Sequence, residues 1–191
     1  MRSKGLLMIT SLLGAMSLAG CALSPQVVSV QPTLDIAALS KDGASATLAL
    51  AVSDTRDNAI VGYRGGVYDT ATITMAEDMP VRMQAELAAA LAARGFSVVP
   101  VGTPANVSLT VEVVALGYNV TQGQVTRTVE VTSTLRARSS ADEVTRTGEY
   151  RDARTREFVQ PPAEAENEAL INEVLSAALQ RLVADAGLIK F

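Results

Sequence analysis

The stretch that most constrains the fold is residues 125–138, VTRTVEVTSTLRAR, where apolar and polar side chains alternate with a period of two. A period of two belongs to a β-strand, whose successive side chains point to opposite faces of the sheet. The apolar positions are Val129, Val131, Leu135 and Ala137, and the intervening positions carry threonine, glutamate and arginine. The pattern therefore predicts a strand that packs on a core with one face and meets water with the other.

Two more strands are predicted beside this one. Residues 106–120 change their apolar phase after Val113, which indicates a β-bulge at that point. Residues 143–151 follow a turn and are predicted to form the next strand, with Val144 and Tyr150 facing the core. The three segments together predict an antiparallel meander with one wet face.

A first helix is marked by signals at both of its ends. Pro80 is tolerated in a first turn, so Asp78 is the expected N-cap, and Gly95 is placed for the C′ position of a Schellman motif. Its expected buried stripe is Met79, Met83, Leu87, Ala90 and Leu91. Strands are predicted at 47–53 and 96–100, and they should be parallel because a helical crossover joins them.

A second helix is predicted over residues 163–186, with Gly187 ending it. Its expected buried stripe is Ile171, Val174, Leu175, Ala178 and Leu182. A short strand is also predicted at 59–64, followed by a loop over 65–74. The core order β-α-β-β-β-α predicts an α+β fold: a two-layer sandwich in which two helices pack on one face of a mixed, mostly antiparallel sheet.

The N-terminus has the layout of a secretory signal peptide: a basic start, an uncharged apolar run and small residues before Cys21. Three interpretations are open, namely an uncleaved membrane anchor, a secreted protein cut at a nearby small residue, and a lipoprotein. The segment Leu18–Cys21, LAGC, resembles a bacterial lipobox. That resemblance implies cleavage between Gly20 and Cys21, with a diacylglycerol and a palmitate-type acyl chain on Cys21. It is the interpretation we favour.

The lipobox implies three segments: a signal peptide at 1–20, a lipidated N-terminus and tether at 21–33, and one globular domain at 34–191. Residues 27–30 could instead be a short strand, which would shorten the tether. Two or three acyl chains on one residue make a stable anchor in the lipid bilayer. Ala22 stands where an aspartate would favour the inner membrane in such lipoproteins, so the resemblance implies the periplasmic face of the outer membrane.

Composition excludes several classes of function. The chain has no histidine, no tryptophan and a single cysteine, so a Ser-His-Asp or Cys-His nucleophile and the usual zinc sites are ruled out. We expect no metal and no cofactor. The full chain has a net charge of −4, and without Arg2 and Lys4 of the predicted signal peptide the charge is −6, which argues against general nucleic-acid binding.

Several segments together resemble the YajG-like lipoproteins, a family of small outer-membrane lipoproteins. Besides the lipobox they are Asp54-Thr55-Arg56, Ile60-Val61-Gly62-Tyr63-Arg64, Ala93-Arg94-Gly95-Phe96 and Thr121-Gln122-Gly123. The family has no established enzymatic activity. The resemblance therefore implies an envelope location and a fold, and it assigns no reaction.

The candidate binding residues are Asp54, Arg56 and Arg64, which cluster in sequence around one predicted strand end. They could bind a small polar ligand or a peptidoglycan fragment through the arginines, or they could form a structural turn. A weaker alternative is a hydrolase using Asp54 and Asp57 as an acidic pair.

Seven arginines between residues 127 and 156 form either a basic binding face or an ordinary solvated sheet. We expect a non-enzymatic adaptor that binds an envelope protein, and the oligomeric state is left open.

Overall fold

The computed structural model describes residues 23–65 and 70–189, and these form an α+β domain with one mixed sheet. The predicted fold class is confirmed. In chain order the elements are β1 Gln26–Val28, a 3-10 turn Ile36–Ala38, β2 Thr47–Asp54, β3 Ile60–Tyr63, β4 Thr72–Met75, α1 Met79–Ala93, β5 Ser97–Pro100, β6 Val107–Gln122, β7 Arg127–Ala141, β8 Val144–Phe158, α2 Glu164–Ala184 and α3 Ala186–Ile189.

The three long strands β6, β7 and β8 form the predicted antiparallel meander. The expected bulge is present, because the β6–β7 register shifts between Val113 and Ala115. Strand β8 is longer than predicted and runs on to Phe158, since it pairs with β7 along its whole length. The prediction that Val144 faces the core is wrong: its side chain is 51% exposed, because it lies at the hairpin turn opposite Ala141.

The other edge of β6 pairs with two different strands in succession. Strand β2 runs parallel to its first half, ending at the Asp54–Val113 pair, and β3 continues parallel to its second half at the Gly62–Tyr118 pair. A Cβ atom at Gly62 would lie 2.0 Å from the Tyr118 carbonyl oxygen, so only glycine permits this approach. Strand β5 lies parallel to β2, as predicted from the helical crossover.

Strands β4 and β1 extend the sheet beyond β3. The loop expected over 65–74 therefore contains a strand at Thr72–Met75, which is too short to show a clear alternation in sequence. The open choice for residues 27–30 is also decided in part, because Gln26–Val28 pairs with β4 as strand β1. Both strands are held by pairing with β3 and its neighbours, a long-range effect that local sequence does not encode.

The two helices cover one face of the sheet. All five residues of the stripe predicted for α1 are buried, and so are all five predicted for α2. The end of α2 differs from the prediction: the helix stops at Ala184, and Gly187 lies inside α3. Asp185 causes the break, since its backbone is extended and its carboxylate accepts from the Leu188 N–H at 3.2 Å.

Both ends of α1 lie where the sequence places them. Asp78 is the N-cap residue, although its carboxylate accepts from the Arg82 side chain instead of a backbone N–H. At the C-terminus the Phe96 N–H donates to the Leu91 carbonyl at 3.1 Å, and Gly95 has a φ of +97°. These contacts form the expected Schellman motif.

The segment expected to be a tether is largely part of the domain. Alternate side chains from Gln26 to Pro32 are buried. Residues 29–35, which we name the strap, continue along α2 as an extended chain. The N–H groups of Gln31 and Thr33 donate to the Asn172 and Ser176 side chains at 2.7 and 3.0 Å. Among the described residues, the packed structure therefore extends back at least to Gln26, into the segment assigned to the tether.

Candidate functional site

Asp54 and Arg56 form an ion pair where β2 ends. The Nε and Nη2 atoms of Arg56 donate to the two carboxylate oxygens of Asp54 at 2.8 and 2.7 Å. The side chain of Arg56 is only 7% exposed. Burial alone would raise the pKa of Asp54, but the hydrogen bonds and charge of Arg56 outweigh that effect and hold this pKa below its ordinary value.

This pair lines a cavity of about 260 Å³ between the end of β2 and the start of α1. Among the described residues, no group accepts a hydrogen bond from the buried Nη1 of Arg56. Nε and Nη2 of Arg56, the pair of donors that could bind a ligand carboxylate in a bidentate way, already donate to Asp54. They are therefore not available to a ligand. A lowered pKa also makes Asp54 a poor general acid, because it stays ionised at neutral pH.

Arg64 lies at the opposite end of β3 and shares no contact with that pair. It is buried, and its Nη1 and Nη2 donate to the carbonyls of Ser24 and Pro162 at 2.9 and 3.0 Å. The structure therefore brings Asp54 and Arg56 together and separates Arg64 from them. Arg64 fastens the N-terminal chain to the segment that precedes α2.

A buried polar cluster beside Arg64 has no counterpart in the sequence-based predictions. The Tyr118 hydroxyl donates to Asn167 Oδ1 at 2.7 Å, and the side-chain amides of Asn167 and Gln26 are also 2.7 Å apart. Burial raises the pKa of Tyr118 to about 12, against the opposing charges of Arg64 and Arg127. One signal was available: Asn167 lies four residues before Ile171, on the apolar stripe of α2.

Most arginines of the 127–156 segment have acidic neighbours. Arg154 and Arg156 both bind Glu173 of α2, at 2.9 and 2.6 Å. Arg154 also contacts Asp152, and hydrogen bonding to Glu173 is the main reason that its pKa is raised. These contacts join β8 to α2, so this part of the segment is a structural network and not a free basic patch.

Arg138 is different from those residues. Its neighbours in register on β6 and β8 are Thr110 and Thr147, so no acid faces it across the strands. Arg136, one row away, faces Glu112 at 3.9 Å, which is a loose contact. These five side chains line a polar depression of about 450 Å³ on the sheet face that the helices leave open.

Across residues 23–65 and 70–189, no group of acidic, histidine or cysteine side chains is placed to hold a metal ion. Within the same residues, no helix has both the length and the hydropathy needed to cross a bilayer. Cys21 and Gly20, predicted for lipidation and cleavage, lie outside the described residues.

Comparison with known families identifies the chain. A family model described as "Uncharacterized lipoprotein" matches residues 32–191. The chain belongs to this family. The match confirms the resemblance to the YajG-like lipoproteins, and it associates the protein with a membrane of the cell envelope. The family carries no enzymatic assignment.

Solved structures of other proteins share the fold at low sequence identity. Protein XCC0632 from Xanthomonas campestris, of the DUF330 family, has a TM-score of 0.52 and 14% identity over 83% of this chain and 93% of its own. A second structure, titled only as an uncharacterized protein, has a TM-score of 0.50 and 12% identity over 85% and 96% of the two chains. No curated protein matches the sequence.

Proposed function

We propose that this lipoprotein is anchored by Cys21 in the outer membrane, faces the periplasm, and acts as a non-enzymatic adaptor for an envelope protein. The family match supports the anchor, and the LAGC motif supports Cys21 as the lipidated residue. The adaptor surface is the polar depression on the open sheet face. Its partner would contribute a carboxylate to Arg138.

The observation that carries this proposal is the position of Arg138 between two threonines. A guanidinium without a cross-strand acid is available to a carboxylate from outside, and such pairs are strong when they become bidentate. Arg154 and Arg156 lie farther along β8 and are already bonded to Glu173 of α2, so they offer less. A partner segment carrying aspartate or glutamate fits this surface best.

The Asp54–Arg56 pair supports a ligand-binding role less well, since its charges already satisfy each other. Arg64 is committed to two backbone carbonyls. Binding of a small polar ligand or a peptidoglycan fragment by these residues remains a prediction, to be tested by titrating cell-wall fragments against the acyl-free domain. A hydrolase using Asp54 has the same weakness, because its carboxylate is engaged by Arg56.

In-cell photocrosslinking tests the adaptor proposal. A photoreactive residue at Thr110 or Thr147 should give one reproducible protein adduct, identified by mass spectrometry. The control position is Val81 on α1, which is exposed on the helical layer. An Arg138→Glu variant should lose the adduct, whereas Arg82→Glu on α1 should keep it. Identical adducts from all positions, or none from the sheet, would count against the proposal.

The anchor has a separate test. Intact-mass analysis of protein from its native host should show a chain that begins at Cys21 and carries diacylglycerol and an acyl chain. A Cys21→Ser variant should lack the acyl mass at residue 21. An unmodified Cys21 or a retained leader would contradict the proposed anchor.

A further inference from the structure

The first described residues lie at one end of the long strands. A single guanidinium, that of Arg64, donates to both the Ser24 and the Pro162 carbonyls. Ser24 is therefore held beside the chain that follows β8. Ser24 follows Cys21 by three positions, and three residue steps of extended chain span at most about 11 Å. A lipid on Cys21 would thus hold this end of the domain close to the bilayer.

The same end carries two exposed valines. Gln122 pairs with Arg127, and Arg127 pairs with Phe158, so the β6–β7 hairpin tip and the end of β8 are adjacent. Val125 lies in that tip and is 78% exposed, and Val159 directly follows Phe158 and is 73% exposed. They are the two most exposed large apolar side chains among the described residues. We name the region of Ser24, Pro162, Val125 and Val159 the anchor end.

We propose that the anchor end docks on the lipid bilayer, with Val125 and Val159 in its headgroup region. This inference rests on the proposed lipidation of Cys21. Transfer of an apolar side chain from water to the membrane interface lowers the free energy. Two valines alone are too few to hold a protein on the membrane. When Cys21 carries its acyl chains, the short linker to Ser24 keeps the anchor end near the bilayer, and the two valines set the orientation of the domain on it.

Docking at the anchor end would point the opposite hairpin into the periplasm. Strands of 15 residues, such as β7, are about 45 Å long. Arg138 lies near the end of β7 that is distant from Arg127, so the polar depression would stand well away from the lipid. The orientation therefore leaves the proposed adaptor surface accessible to a soluble or membrane-bound partner.

The absence of tryptophan from the chain allows a direct test. Val125→Trp and Val159→Trp are made in the lipidated protein, with Val144→Trp at the opposite hairpin as the matched control. Each protein is reconstituted into phosphatidylethanolamine–phosphatidylglycerol vesicles that contain lipids brominated near the headgroup. Bromine quenches tryptophan fluorescence only at short range, so the signal reports contact with the bilayer.

We expect Val125→Trp and Val159→Trp to be quenched roughly twofold more than Val144→Trp. Equal quenching at all three sites, or none, in protein that floats with the vesicles would overturn the docking and leave the lipid anchor standing. The docking would also be overturned if the tryptophans were not quenched and a crosslinker at residue 125 joined two copies of this chain. Protein that neither floats nor carries acyl mass would overturn both the docking and the anchor.

Discussion

Arg94 and Asp42 form a buried ion pair that joins the end of α1 to the loop before β2. The Nη2 atom of Arg94 donates to both carboxylate oxygens at 2.7 and 2.8 Å, and Nε adds a third bond at 3.0 Å. The Arg94 side chain is 1% exposed, and its Nη1 donates to the Val183 carbonyl at the end of α2. One guanidinium therefore holds three separate segments together.

Asp42→Ala should lower the free energy of unfolding by about 3 kcal/mol or more, because it leaves the buried Arg94 charge without its partner. Urea denaturation measures the change. Asp78→Ala is the matched control, since the Asp78–Arg82 pair is about half exposed on both sides and should cost below about 1 kcal/mol. If the two variants lost the same free energy of unfolding, the buried charge of Arg94 would not need Asp42 for its stabilisation.

Acid should destabilise the protein through Asp42 and Asp54. Burial opposes ionisation of each carboxyl, but Arg94 and Arg56 respectively overcome it, and both pKa values lie below the ordinary value of 3.8. A lowered folded-state pKa gives stability that is present above 3.8 and is lost as the pH falls through the folded value. Unfolding free energies measured from neutral to acid pH should fall in that window, and less steeply in Asp42→Asn.

Tyr118→Phe should cost about 1–3 kcal/mol, because the buried Asn167 oxygen loses its donor. The variant should also change the alkaline side of the stability profile. The pKa of Tyr118 is raised from 10.0 to about 12, so its contribution is full below 10.0 and is lost as the pH rises through the folded value. If Tyr118→Phe lost as much stability as the unmodified protein between pH 10.0 and about 12, this assignment would be wrong.

Gly62→Ala should destabilise the protein by about 4 kcal/mol or more, because β3 and β6 would have to separate locally to clear the new methyl group. Gly102→Ala provides the control. Gly102 has a φ of +88° and open space around it, so its cost should be only the backbone strain of about 1–2 kcal/mol. Thermal or urea unfolding of the pair distinguishes a steric clash from strain.

The strap should loosen without global unfolding when its acceptors are removed. Asn172→Ala and Ser176→Ala delete the partners of the Gln31 and Thr33 N–H groups, which are exposed hydrogen bonds worth about 1 kcal/mol each. Hydrogen exchange should become faster at Gln31, Thr33 and Asp35 and stay unchanged in β7. Equal acceleration in β7 would show that the strap and the core open together.

Local sequence predicted the elements that carry their own pattern. The alternation in β7 and the stripe of α1 appear in the structure as buried faces, since burial on one side is what selects such periods. Only the first part of strand β8 was predicted. Beyond Tyr150 the strand contacts helix α2 through charged side chains such as Arg154, so its sequence lacks the alternation of apolar and polar residues that marks a strand. Strands β1 and β4 depend on a neighbour for their existence.

The candidate site was predicted from residue types whose positions in space were unknown. Asp54 and Arg56 are two residues apart, and their pairing followed from proximity along the chain. Arg64 was grouped with them by sequence distance, yet β3 carries it to the other end, where it binds Ser24 and Pro162. Arg138 was one of seven arginines until the register set it between Thr110 and Thr147.

The sequence by itself determined the α+β class, the two helices, the strands of the meander and the LAGC motif at Cys21, because each depends on neighbours within a few residues. Tertiary structure alone decided which polar groups meet: Arg94 with Asp42, Tyr118 with Asn167, and Arg64 with Ser24. Those residues are far apart in the chain, and only the packing of the helices on the sheet excludes water and makes their pairing obligatory.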